Sequence, residues 1–142
     1  MSASEAAVSF FQGLTSFCGR AFIGWFFISE AYHRILEWDA MEILVQMRHV
    51  PFGQPLLALA VLAMILGGIS LVIGFQTRFS ALVLSVCTGA WIAVAHNFWT
   101  IHNAILRASD YQMFALGIAV IGGLLTLVAF GGGYLSLDGR AE

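Results

Sequence analysis

The sequence predicts an all-α fold, an integral membrane four-helix bundle with a short interfacial amphipathic helix between helices 1 and 2. Of its 142 residues, 60% are hydrophobic and only 10% are charged, whereas soluble domains carry about 25% charged residues. Four apolar segments reach the roughly 20 residues that a helix needs to cross a bilayer. Their uninterrupted apolar runs argue against a membrane β-barrel, whose strands alternate apolar and polar residues.

The whole chain, residues 1–142, is predicted to form a single transmembrane domain. The predicted spans are residues 14–36, 55–75, 79–98 and 111–130, and the last three have no charged residue in their interiors. We expect the first span to be retained rather than cleaved as a signal peptide. No basic region precedes it, and charged residues follow it without a small-residue cleavage site.

The connections between the spans predict how the helices face. The short polar turn at residues 76–78 makes the second and third spans antiparallel neighbours. In residues 38–47 the apolar side chains recur every three or four positions, with polar side chains between them. This spacing predicts the amphipathic helix in the interface. Four spans place both termini and the 76–78 turn on one side, here called the termini side, and the two longer loops on the opposite loop side. Three arginines lie near each side, so the positive-inside rule does not choose an orientation.

Small residues recur every three or four positions in the last three spans. Because helices in lipid pack through small side chains that allow close approach, these stripes predict the surfaces that hold the bundle together. The predicted packing residues are Gly67, Ser70, Gly74, Gly89, Gly122 and Gly133.

Several classes of partner are disfavoured by the composition. Six arginines, no lysine and a net charge of −2 exclude an electrostatic nucleic-acid binder. The lipid bilayer is the predicted partner, together with other membrane subunits or further copies of the chain. Cys18 and Cys87 lie in separate apolar runs and suit neither a disulfide framework nor a thiolate site. No HxxxH or HExxH spacing occurs, so we predict no metal site.

One polar cluster stands out as a candidate cofactor-binding pocket, formed by Glu30, His33, Arg34 and His96. The first three lie on one face near the loop-side end of helix 1, and His96 ends helix 3 on the same side. Ionisable groups at membrane depth are functional candidates. Paired imidazoles could hydrogen-bond a quinone or ligate haem, and a quinone is favoured. An interfacial salt-bridge ladder, with histidines that satisfy one another, is an equal alternative. Arg20 is expected to anchor the termini-side interface.

The chain resembles the DoxX-like family of small four-helix membrane proteins from about residue 17 to residue 138. The resemblance is carried by Arg20, Gly24 and Phe27 in helix 1 and by the tail of helix 2 through Thr77 and Arg78. It continues with His96, the pair Gly122-Gly123, and a closing set of Gly131, Gly133, Tyr134, Ser136, Leu137 and Asp138. The family's usual glutamate and Lys-Asn pair are replaced here by Met64 and by Leu116 and Gly117.

The resemblance implies an accessory subunit of a larger membrane redox, or electron-transport, complex, bracing its partner and bordering a quinone or cofactor. It also implies a bacterial or archaeal cytoplasmic (inner) membrane with both termini in the cytoplasm. The alternative is a quinone- or haem-binding oxidoreductase component in its own right, and a third hypothesis is a small carrier. Whether the chain is an enzyme is left open, with a non-catalytic subunit favoured.

Overall fold

The structure, a computed structural model, describes residues 3–140. Within that range the chain forms five α-helices and no strand: α1 (Ala3–Leu36), α2 (Trp38–Met47), α3 (Gly53–Ile73), α4 (Thr77–Ala95) and α5 (Ala104–Phe130). Short 3-10 turns follow α4 at Phe98–Thr100 and close the described range at Asp138–Arg140. The predicted all-α fold is confirmed, and α2 has the residues expected for the amphipathic helix.

Among residues 3–140, three helices are long and apolar enough to cross a membrane: α3, α4 continued to Thr100, and α5. The first predicted span lies within α1, whose 34 residues make a rod about 51 Å long. That length exceeds the roughly 30 Å of a hydrocarbon core. However, α1 is more polar than the other three, because it carries Arg20 midway and both Glu30 and Arg34 near its end.

Two helices extend beyond their predicted membrane spans. α1 begins at Ala3 rather than at residue 14, and α5 begins at Ala104 rather than at residue 111. The start of α5 is capped by the side-chain oxygen of Asn103, which accepts hydrogen bonds from the N–H groups of Ile105 and Leu106 at 3.0 and 3.2 Å. Each predicted span thus lies largely in one of the long helices, but among the described residues only α3, α4 with its continuation and α5 are long and apolar enough to cross a membrane, and whether α1 also spans stays a prediction.

α1 packs most closely against α3, where two glycines let the backbones touch. A Cβ atom built on Gly24 would lie 2.6 Å from the Gly68 carbonyl oxygen, and one built on Gly68 would lie 2.8 Å from the Gly24 carbonyl oxygen. Both positions are buried. Neither side can therefore accept a methyl group without the helices moving apart.

α3 also packs against α4, and α4 packs extensively against α5. Gly67 admits the side chain of Leu84, since a Cβ at Gly67 would lie 2.9 Å from the Leu84 Cγ. Gly117 of α5 admits Ile92 of α4 in the same way. The buried core includes Phe27, Ala31, Val61, Met64, Leu71, Ala81, Leu84 and Leu124.

The predicted packing stripe of the last span does not face the bundle. Gly122 is exposed, and a Cβ placed there would meet no heavy atom within 4 Å. Ala115, Ala119, Thr126 and Ala129 are exposed as well. Gly89 has room for a methyl group, with Ile121 Cδ1 at 3.9 Å. Periodicity grouped these small residues on one face of α5, but that face is exposed in the structure, and Gly117 makes the close contact with α4 instead.

Candidate functional site

A cavity of about 170 Å³ opens near the loop-side end of the bundle, between α1, α3, α4 and α5. Most of its surface is apolar, with a few polar side chains among the lining residues. The lining residues are Phe26, Phe27, Glu30, Arg34, Leu57, Ala60, Met64, Cys87, Thr88, Trp91, Ile92, His96, Met113, Leu116, Gly117 and Val120. A concave, largely apolar pocket with a small number of convergent polar groups is the usual form of a ligand site.

Arg34 is the best-held polar side chain of this cavity. Its guanidinium carbon lies 4.4 Å from the centroid of the Trp91 ring, a cation–π distance. Its Nη1 donates a hydrogen bond of 2.8 Å to the Met64 sulfur, and its Nη2 lies 3.3 Å from Glu30 Oε2. Three helices therefore fix this one cation: α1 carries it, α3 supplies Met64 and α4 supplies Trp91.

Glu30 and Arg34 form an ion pair one helical turn apart, as their spacing predicts. The two partners are not equally enclosed, because the side chain of Arg34 is 11% exposed and that of Glu30 is 40% exposed. Glu30 thus lies at the rim of the cavity, and Arg34 lies in its wall.

His96 lines the same cavity from the end of α4 and is paired with Asp110 of α5. Its Nδ1 lies 2.9 Å from Asp110 Oδ1, while the other carboxylate oxygen of Asp110 is buried without a hydrogen-bond partner. Arg48, just after α2, donates a 2.8 Å hydrogen bond to Asn97 Oδ1 and reaches the Ala95 carbonyl. These contacts fasten the end of α4 on the loop side.

The structure brings Glu30, Arg34 and His96 to one cavity and leaves His33 outside it. His33 is exposed, and its ring makes an edge contact with the neighbouring Tyr32. No three His, Cys, Asp or Glu side chains within residues 3–140 come together in a way that could hold a metal ion. Trp91, Met64 and Asp110 were missed by the sequence analysis. Asp110 could have been found, because it and His96 flank the same loop between antiparallel neighbours.

A second polar cluster lies at the opposite end of the bundle, where residues 131–140 fold back over α1 and α3; we call this segment the clasp. Arg20 is fully buried beneath it. Its Nη1 donates a 3.1 Å hydrogen bond to the Leu71 carbonyl and its Nη2 a 2.6 Å hydrogen bond to the Leu135 carbonyl. The expectation of an interfacial anchor is corrected, since Arg20 binds protein carbonyls inside the fold.

The clasp depends on backbone positions that glycine supplies. Gly74 ends α3 with φ 77°, and a Cβ there would collide with Arg20 and Ser136. Gly133 has φ 74°, and a Cβ built there would lie 2.9 Å from the Ser16 hydroxyl oxygen. Ser70 donates to the Phe75 carbonyl and accepts a 2.8 Å hydrogen bond from Ser80. These three predicted packing residues therefore shape the clasp and the α3–α4 turn, and Gly133 lies beyond the end of α5.

Asp138 ties the clasp to the start of α4. Its two carboxylate oxygens accept hydrogen bonds of 2.8 Å from the N–H groups of Gln76 and Thr77. Burial alone would raise the pKa of Asp138, but these N–H donors and the charge of Arg20 outweigh it and hold the pKa below its ordinary value. The carboxylate thus serves as the cap that the first turn of α4 lacks.

We expect the contribution of Asp138 to the free energy of unfolding to decrease at acidic pH. Because the folded-state pKa is depressed, this stabilisation is fully present above the unfolded-state pKa and is lost as pH falls through the folded-state value. Asp138→Ala should lower the free energy of unfolding by about 1 kcal/mol at pH 7, as loss of a helix cap does. Unfolding curves of both proteins between pH 7 and about pH 2, well below the ordinary aspartate pKa of about 3.9, check this. A difference that stays constant down to the lowest pH would contradict the assignment.

Comparison with known proteins gives one family and one relative. A model described as the SURF4 family matches residues 33–142. The chain is 27% identical over 103 residues to the ER-derived vesicles protein ERV29 of Saccharomyces cerevisiae, an alignment that covers 72% of this chain and 33% of the yeast protein. The chain thus spans about a third of that relative's length. No solved structure matches it.

The assignment to the DoxX-like family is therefore wrong, because the family model and the yeast relative both point to the SURF4 family. The predicted electron-transport subunit, the alternative oxidoreductase component and the quinone-linked role fall with it. The bacterial or archaeal inner membrane is likewise unsupported, since the relative is a yeast protein of ER-derived vesicles. Much of the resemblance was carried by residues of the clasp and of the helices beneath it. In the structure these residues close the bundle on the termini side: Arg20, Gly74, Thr77, Gly133 and Asp138.

Proposed function

Because the chain belongs to the SURF4 family, we propose that it is a membrane protein of vesicles that leave the endoplasmic reticulum. We further propose that its loop-side cavity binds an apolar segment of a protein that these vesicles carry. The printed name of the yeast relative supports the first part. The observation that carries the second is the cavity itself, which has an apolar lining around the Arg34–Glu30 pair.

The proposal includes an orientation. If α1 crosses the bilayer with α3, α4 and α5, both termini lie on one side and the cavity lies near the other. We place the termini in the cytoplasm, so that the cavity opens toward the lumen, where a transported protein would be met. We also propose that residues 1–142 act as one transmembrane domain and assemble with other membrane chains or with further copies of this one.

A cavity-filling variant tests the binding step. Ala60→Leu places a larger side chain in the cavity, whereas Ala58→Leu adds the same atoms to the same helix at an exposed position outside it. In cells that lack the endogenous protein, we expect Ala58→Leu to restore secretion and Ala60→Leu to leave it reduced at least severalfold. The measurement is the rate at which newly made secretory proteins reach the medium, with equal amounts of each variant in the membrane.

Recovery of the chain in vesicles tests the location separately. Vesicles formed from isolated ER membranes should contain the wild-type chain, Ala58→Leu and Ala60→Leu at the same enrichment. Absence of the chain from those vesicles would contradict the location. Full rescue of secretion by Ala60→Leu would contradict the role of the cavity and leave the location standing.

A further inference from the structure

The geometry points to a carboxylate as the ligand group that this cavity selects: Arg34 binds the carboxylate, and an apolar group about the size of a benzene ring fills the space beside it. The inference rests on the proposed function in one respect, since it takes the cavity as the binding site. It adds the chemical class of what binds there.

Arg34 is already positioned for an anion. The Trp91 ring packs against one face of its guanidinium group, and the Met64 sulfur accepts a hydrogen bond from Nη1. The side chain is only 11% exposed. A cation held by packing from three helices loses little freedom when it receives a ligand. Guanidinium groups also offer paired N–H donors that match the two oxygens of a carboxylate. The chain therefore holds a preorganised anion receptor at this end of the bundle.

Glu30 is the group that a ligand would replace. It is bound to Arg34 by one contact of 3.3 Å, and its side chain is 40% exposed. It lies six residues before the end of α1, or about 9 Å along the helix axis. A long side chain so placed can turn its charged end toward the aqueous interface. A ligand carboxylate can thus take the place of Glu30 without leaving a buried charge unpaired.

The remaining space sets the size of the apolar part. The cavity volume of about 170 Å³ is close to that of an engineered apolar cavity of roughly 150 Å³ that binds benzene. Phe27, Leu57, Ile92 and Val120 contribute apolar surface to it. Aromatic or branched aliphatic groups of about six carbons fit, so the ligand is a carboxylate with such a group close by.

A cationic ligand is disfavoured by the same contacts. The carboxylate that lines the cavity is that of Glu30, which is paired with Arg34, whereas Asp110, which is paired with His96, is not among the lining residues. To reach Glu30, a ligand ammonium would have to compete with the guanidinium that packing holds in the wall. A ligand carboxylate competes for Arg34 only with the carboxylate of Glu30, the more exposed member of the pair.

Protection of Cys87 from formation of a mixed disulfide reports binding at this cavity. Cys87 lines the cavity, and Cys18 is the other cysteine of the sequence and is exposed. In a Cys18→Ser background the full-length protein in detergent is treated with methyl methanethiosulfonate, and the rate of Cys87 labelling is measured. The probes are 3-phenylpropanoate and its neutral amide, 3-phenylpropanamide. Because the amide partitions into micelles more readily, the two probes are compared by their free aqueous concentrations, measured by equilibrium dialysis.

We expect 3-phenylpropanoate to protect Cys87 at a concentration roughly tenfold lower than the amide, since charge-assisted hydrogen bonds are about twice as strong as neutral ones. Glu30→Gln removes the competing carboxylate and should lower the protective concentration further. Arg34→Gln should abolish the difference between the two probes. If Arg34→Gln does not fold, the comparison between Glu30→Gln and the wild type decides alone.

Equal protection by the two probes, or protection by the carboxylate that Glu30→Gln leaves unchanged or weakens, would overturn the inference. Equal protection by both would still leave an apolar binding cavity, so the proposed function would stand. Conversely, a carboxylate preference in a protein that does not enter ER-derived vesicles would retain the inference and remove the proposed function.

Discussion

Arg20→Met is expected to lower the free energy of unfolding by about 3 kcal/mol, because it leaves one buried and one half-buried carbonyl without a donor and each such loss costs roughly 1–3 kcal/mol. The carbonyls are those of Leu71, in the last turn of α3, and Leu135, in the clasp. Methionine keeps most of the side-chain volume, so the effect measures the hydrogen bonds rather than a cavity. Unfolding by sodium dodecyl sulfate, followed by helical circular dichroism, gives the free energy.

The matched control is Arg107→Met, which removes an exposed arginine of α5. It should change the free energy by less than about 0.5 kcal/mol, as exposed substitutions usually do. Limited proteolysis supplies a second measurement, since release of the clasp should open residues 131–140 to cleavage in Arg20→Met only. Equal stability of the two variants would show that Arg20 does not hold the clasp.

Gly24→Ala is expected to destabilise the bundle by about 2 kcal/mol, in the range of overpacking effects. The added methyl group would lie 2.6 Å from the Gly68 carbonyl oxygen and from Val72 Cγ2, and neither α1 nor α3 has space to accept it. The helices must therefore move apart, which weakens dispersion contacts along their length. The same detergent unfolding experiment measures this loss.

Gly19→Ala serves as the control on the same helix, because a Cβ at Gly19 meets no heavy atom within 4 Å. It should be neutral or slightly stabilising, given the higher helix propensity of alanine. If the two alanine variants proved equally stable, the α1–α3 contact would not be as close as described.

The helices, three of them long and apolar enough to cross a membrane, were predictable because apolar composition and periodicity are properties of consecutive residues. α2 shows this best, because the helical spacing of its apolar and polar positions predicted the same bounds, Trp38–Met47, that the structure has. The sequence did not predict whether a stripe of small residues faces a neighbouring helix or the outside of the bundle. Small residues on α5 mark a face, but whether a neighbour covers it depends on how α4 crosses, and α4 packs at Gly117 instead of Gly122.

The cavity was predictable in part for a similar reason. Glu30 to Arg34 is one turn of a helix, so their pairing follows from spacing. His33 lies about 100° around the helix from Arg34, and spacing alone allowed either to face inward. The partners that fix Arg34 come from other helices: Met64 and Trp91 sit in apolar runs that give no sign of a polar contact.

Arg20 and Leu135 are joined across 115 positions of the sequence. During synthesis, α1 is made long before residue 135, so the guanidinium group of Arg20 waits without one of its two acceptors. A segment that is made late thus completes the contacts of a helix that is made early. A nascent chain that stops short of Leu135 keeps a guanidinium group without this partner, a mark by which quality control can tell it from a chain that carries the clasp.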